Sequence, residues 1–367
     1  MKYSLVFVCV AALFGCALTS SAESSSLVSS SESGLISSAE SSSLISSSES
    51  GLISSAQELI NLFVDPPSTV LKRDIELTAD LDFSQANLAF PLGASSSGTC
   101  VSFSGVLEGN GHSIKGLSMA TTRSGFTDAG LFCSLNNTII KNLVIDASCS
   151  FVGYNNAGAL SVSASGSVTI INVTNQASVK AFGTGSGFIA HVESLNEGKV
   201  LSFENCVNEG NVAPDVNSWR SGYNNGGFIG NLQKNVDMTV HFSNCVNNGN
   251  VTGINQIGGF IGNCPSNTNI TISLSNCINN GTVVGKTGKN GGFFGLVLKN
   301  TNMTLTFSNC TNSGTASGNG DKIGAFIGDV SNGAENIITI SGSINSGTAT
   351  GNNYVGGFIG LVESAEN

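Results

Sequence analysis

The sequence predicts an all-β chain, a right-handed parallel β-helix of 32–33-residue coils behind a short N-terminal helical cap. Three observations carry that expectation. A Gly-Gly-Phe-Ile-Gly block at 226–230 returns, with small changes, at 258–262, 291–295, 324–328 and 356–360, in steps of 32, 33, 33 and 32 residues. A second block, Asn205-Cys-Val-Asn-Glu-Gly210, recurs from Asn244, Asn276 and Asn309, and Ser343-Ile-Asn-Ser-Gly347 continues it with serine for cysteine. Between them lie alternating apolar runs such as Met238–Phe242 and Ile270–Leu274. These are short, β-branched and bounded by Asn-Gly and Gly-Gly, the chemistry of strands and turns. Self-similarity at this period marks a solenoid or a propeller, but a four-stranded blade needs about 40–50 residues. Three short strands per coil is the better fit.

In such a solenoid, equivalent residues of adjacent coils sit about 4.8 Å apart. Phe188, Phe228, Phe260, Phe293, Phe326 and Phe358 are therefore expected to form one inward column. Asn208, Asn247, Asn279, Asn312 and Asn345 are expected to form another at a corner, where stacked amides bond up and down the ladder.

The elements follow in chain order. Residues 1–22 have the layout of a secretory signal peptide: Lys2, an apolar run from Leu5 to Leu18, and small residues Ser20-Ser21-Ala22 for cleavage. The run is shorter than a spanning helix of about 20 residues, and Phe14 is bulky where a lipoprotein site at Cys16 would hold a small side chain. Residues 23–55 belong to two near-identical 17-residue serine-rich copies, differing only at Val28 and Ile45. Their sparse apolar content predicts a flexible acidic stalk. Residues 56–98 read as the cap that a solenoid end requires. Leu59, Ile60, Leu62 and Phe63 make one helical face, Pro66-Pro67 stops it, and a strand-like run follows with Ile75 and Leu77. Residues 99–367 are the repeat domain. The sequence shows no matching cap after 360, which raises end-to-end self-association through the last coil or a truncated chain.

Phe103–Leu117, Gly130–Leu143 and the Leu77–Phe83 run resemble the opening of GLUG-type β-helix repeat proteins. The resemblance covers roughly residues 56 to 367 and rests on structural glycines and apolar positions. It implies a bacterial or protist surface or secreted protein of adhesin-like role, whose partner is a host or neighbouring cell-surface glycan or protein, with no cofactor.

Composition narrows the chemistry. Fourteen Lys and Arg face 24 Asp and Glu, charged residues make up 10% of the chain, and no basic run exists, which argues against nucleic acid. Nothing after the leader is long and apolar enough to span a bilayer. The alternative to a non-catalytic binder is a carbohydrate-active lyase or hydrolase, which needs gathered carboxylates. Asp215, Asp237, Asp321 and Asp329 share no repeat position. His112, His191 and His241 fall at different offsets in different coils, against a metal site. Gly281–Thr287 mimics a phosphate loop but carries Asn280 where its first glycine belongs. Trp219, Arg220 and Tyr223, in the insertion that lengthens one step to 39 residues, are candidate glycan contacts. Ice or mineral binding would need regular threonine rows, of which Thr252, Thr282 and Thr315 are a fragment.

Eight cysteines lie beyond the leader. Cys206, Cys245, Cys277 and Cys310 share one position and are expected as a buried thiol column, with bridging confined to irregular coils, among Cys100, Cys133 and Cys149. Seven Asn-x-Ser/Thr sites occur: Asn136, Asn172, Asn250, Asn269, Asn280, Asn302 and Asn309. Asn309 lies beside a predicted core position. If Phe and its neighbour point to opposite faces of a strand, Ile189, Ile229, Ile261, Phe294, Ile327 and Ile359 form an external apolar stripe, a candidate partner surface. A bend at that point would bury both.

Overall fold

Most coils are assembled from short strands that their own turn residues cut apart. In Thr239–Ser243 the side chains alternate, Val240 and Phe242 buried and Thr239, His241 and Ser243 facing out. Asn244 then takes a left-handed conformation (φ 52°) and turns the chain. The coil continues through Val246–Asn247, Val251–Gly253, Ile257–Gly258 and Ile261–Pro265. This coil thus has five strand segments where three are expected, Val246–Asn247 and Ile257–Gly258 being additional, whereas the coils that begin with the long strands Phe132–Ile145 and Ser161–Asn175 keep three. The next coil repeats the path, with Thr271–Ser275 parallel to Thr239–Ser243 residue for residue.

The fold is that of a computed structural model, which describes residues 51–64, 70–86, 88–193, 198–215, 222–233 and 236–364, together with the backbone of Phe7–Val10. It is nearly all β, a parallel β-solenoid of about nine turns of about 33 residues each. Phe7–Val10, inside the expected leader, runs as a strand parallel to Ile338–Ser341 of the last coil.

The core is columnar. Phe188, Phe228, Phe260, Phe293, Phe326 and Phe358 stack with successive ring centroids 4.9, 4.7, 4.8, 4.8 and 4.9 Å apart. Phe203, Phe242 and Phe307 meet them edge-on at 5.4–5.7 Å. Burying a phenylalanine contributes about 1.5–3 kcal/mol, and good ring geometry adds about 0.5–1.5 kcal/mol, so these columns dominate cohesion between coils.

The asparagine column is equally continuous. From Asn175, each Nδ2 donates to Oδ1 of the next coil's asparagine: to Asn208 at 2.9 Å, then to Asn247, Asn279 and Asn312 at 2.8 Å each, and to Asn345 at 3.1 Å. Those from Asn208 to Asn312 also donate to a glycine carbonyl two residues on. Asn175 to Asn312 are fully buried, which the paired amides make tolerable.

At the N-terminal end, helix Ala56–Asn61 starts on a capping box in which Ser55 Oγ accepts from the Glu58 amide and Glu58 reaches back to the Ser55 amide. Leu59 and Phe63 are buried, and the Phe63 ring lies 6.2 Å from Phe103 and 5.9 Å from Phe132. Strand Gly51–Ile53 precedes the helix and pairs with Ile75–Leu77, burying Ile53. Residues 51–55, expected in the stalk, therefore belong to the capped end. Pro66-Pro67 lies outside the described residues.

Candidate interaction sites

The apolar stripe expected on the outside is inside. Ile189, Ile229, Ile261, Phe294 and Ile327 are fully buried, and Ile359 of the last coil is half-buried. The alternation fails because the chain bends between the two residues. The amides of Phe228 and Ile229 both donate to the Phe260 carbonyl, at 3.0 and 2.9 Å, and Phe260 with Ile261 repeats this on Phe293. Two successive N–H groups aimed at one acceptor cannot belong to a pleated strand, so both side chains turn inward. Glycine permits the arc, since a Cβ on Gly226 would lie 1.9 Å from the Ile229 carbonyl oxygen.

The remaining expected sites scatter. Tyr223 is exposed and its backbone pairs with Asn255, whereas Trp219 and Arg220 lie outside the described residues. His112 is 3.4 Å from Asp80, and His241 Nδ1 is 2.5 Å from Ser273 Oγ. Val283–Gly285, inside the phosphate-loop mimic, is a strand followed by another strand. Asn172, Asn250, Asn269, Asn280, Asn302 and Asn309 are exposed and Asn136 is half-buried. Several join outer amide ladders, such as Asn302 Nδ2 to Asn269 Oδ1 at 2.8 Å.

Cys100 and Cys133 form a disulfide between adjacent coils, while Cys149, Cys206, Cys245, Cys264, Cys277 and Cys310 are free and buried. Burial pushes two of these thiols up, Cys149 to about 11 and Cys264 to about 12. Thiols so held are poor nucleophiles.

Beside the disulfide opens a cleft of about 330 Å³, lined among others by Phe126, Asp128, Ser163, His191, Glu193 and Gln233. Sequence spacing hid it, because its walls come from successive coils. Ser163 and His191 are register partners, as are His191 and Asn231. Burial drives His191 down to about 4, so its ring is neutral at physiological pH, and Gln233 Nε2 lies 3.3 Å from its Nδ1. Burial holds Asp128 above the ordinary carboxylate range, against the pull of the Asn156 amide (2.9 Å) and Asn156 Nδ2 (3.1 Å). Serine, histidine and aspartate share this cavity without forming a relay: Ser163 Oγ donates to the Cys133 carbonyl, and the histidine's contact is with Gln233.

A second face lies on the strands that begin at Thr239. Their outward residues form three rows in unbroken parallel register: Thr239, Thr271, Thr304 and Ile337; His241, Ser273, Thr306 and Thr339; Ser243, Ser275, Ser308 and Ser341. Ten of these twelve positions carry a hydroxyl and none carries Asp, Glu, Lys or Arg.

Fold and sites together define a parallel β-solenoid protein. Among solved structures, the chain is similar to a crystal structure from Bacteroides ovatus titled a "putative immunoglobulin A1 protease", with a TM-score of 0.51, 14% sequence identity, and coverage of 80% of this chain and 84% of that one. At that identity the likeness speaks to the fold alone. No protein-family model and no curated protein matches the sequence.

Proposed function

We propose that this chain is a secreted or surface-displayed GLUG-type β-helix protein that acts by binding, holding a saccharide of a host or neighbouring cell surface without catalysis. The cleft at His191 is the observation that carries the reading. It combines carboxylates and amides, which match vicinal sugar hydroxyls, with the apolar edges of Phe126 and Val162. A secreted location is supported by the leader-like N-terminus and by the Cys100–Cys133 bridge, since disulfides persist in oxidising compartments. Absence of catalysis is supported by Ser163 and His191 each being bonded elsewhere. A glycan array tests the reading. The protein retains at least one glycan, and Gln233→Ala and Glu193→Gln, both at exposed positions of the rim, weaken retention at least tenfold. An empty array, or retention indifferent to both changes, refutes it.

One observation favours a second reading, a carbohydrate-active enzyme. Asp128, held protonated to higher pH than usual, shares the cavity with Glu193, and two carboxylates in unequal surroundings are the makings of an acid and base pair. Release of reducing ends from a polysaccharide, abolished by Asp128→Asn, would establish it over simple binding.

A further inference from the structure

We propose that the hydroxyl face of the strands beginning at Thr239 is an ice-binding surface, independent of the cleft. The argument is geometric. In ice each water makes tetrahedral hydrogen bonds of about 2.75 Å, so next-nearest oxygens stand about 4.5 Å apart and the layer repeat is about 7.3 Å. Across the coils the rings of Phe260 and Phe293 stand 4.8 Å apart, and the outward rows of the same coils share that register. Along a strand, alternate residues are about 6.7 Å apart. The coil spacing exceeds the lattice spacing by about 0.3 Å, a drift of about 0.9 Å over four coils, and the strand spacing falls short of the layer repeat by about 0.6 Å, so the match is closest over two or three adjacent coils.

The chemistry agrees with the spacing. A hydroxyl, like water, both donates and accepts. Among the described residues, the side chains of Thr271, Thr304, Thr306 and Ser308 make no hydrogen bond, which leaves their hydroxyls open to partners from solvent. Threonine holds its hydroxyl in few rotamers, so little freedom is lost on docking. The twelve positions carry no Asp, Glu, Lys or Arg, and the nearest acid in their register is Glu204, one coil before Ser243. Polysaccharide is the weaker fit, since sugar rings are gripped by aromatic planes and these rows hold only the His241 imidazole.

The test is partition of the full chain into a slowly grown polycrystalline ice mass, with serum albumin dissolved alongside as the excluded standard. The protein is expected in the ice fraction at several times the albumin level, and Thr271→Lys and Thr304→Lys each return it to that level. Circular dichroism establishes that both variants keep the β-solenoid; should either unfold, Thr271→Val and Thr304→Val, which keep shape and lose the hydroxyl, take their place with the same expected loss. Gln233→Ala, in the cleft, partitions as the unchanged protein, which separates this face from the saccharide reading. Exclusion of the unchanged protein from ice overturns the proposal, as does indifference to the threonine substitutions. Retention on insoluble cellulose or chitin through Thr271 and Thr304, with exclusion from ice, reassigns the face to a polysaccharide.

Discussion

Replacing Asn279 tests whether the amide column holds the coils together. Its Nδ2 donates to Asn312 Oδ1 at 2.8 Å and to the Gly281 carbonyl at 3.1 Å, and its Oδ1 accepts from Asn247 Nδ2 at 2.8 Å. Asn279→Ala deletes all three bonds and leaves Asn312 Oδ1 and the Gly281 oxygen buried without that donor. Stranding a buried polar group costs about 1–3 kcal/mol, so two of them predict a loss of about 4 kcal/mol. Asn279→Asp is the sharper variant. It preserves shape but sets an oxygen against two acceptors in a site closed to water, so at neutral pH it should destabilise at least as much as alanine, with partial recovery as acid protonates the carboxyl. Hydrogen exchange read coil by coil is the assay, because a solenoid loses stability locally before it unfolds as a whole. Amides between Asn247 and Asn312 should exchange about a thousandfold faster, at 1.4 kcal/mol per decade, while the Phe103 coil changes little. A loss below about 1 kcal/mol, or an aspartate variant as stable as the parent, refutes the account.

Other expectations follow from the same geometry. Phe293→Ala opens a gap between Phe260 and Phe326, each 4.8 Å away, and should cost about 3–5 kcal/mol by denaturant titration, with Phe293→Leu markedly milder. Gly259→Ala would place a Cβ 2.1 Å from the Gly292 oxygen and 2.4 Å from Asn279 Oδ1, and should lower the melting temperature by an overpacking penalty of about 1–3 kcal/mol. His191 has a folded pKa of about 4 against 6.5 unfolded, so its contribution to stability is complete above pH 6.5 and drains away as pH falls toward 4. His191→Gln should flatten that part of the stability–pH profile. The six buried thiols should ignore a thiol reagent until denaturant is added, whereas reducing Cys100–Cys133, which closes a 33-residue separation, should cost about 3–4 kcal/mol by chain entropy.

The columns were legible because repetition does the reading: once Phe260 and Phe293 recur at one interval between glycines, a parallel coil leaves them nowhere to go but against each other. The buried amides were legible for the same reason. The isoleucine beside each phenylalanine was not, because period two holds only while successive N–H groups alternate, and at Phe228-Ile229 they converge on one carbonyl. The cleft escaped notice because coil stacking gathers Asp128, His191 and Gln233 from positions up to 105 residues apart. The hydroxyl rows left a trace, Thr239, Thr271 and Thr304 at the repeat interval, which the threonines at 252, 282 and 315 obscured.

Because every coil hands its neighbour the same rings, amides and bends, the molecule can change length only in whole units. A tandem duplication of 32 or 33 codons would pass unnoticed by the interior, lengthening the rod while each register stayed intact. A duplication of any other size would have to bulge sideways to leave the registers on either side of it intact. Variants of this gene should therefore differ in reach by complete turns, a ruler graduated in steps of about 4.8 Å.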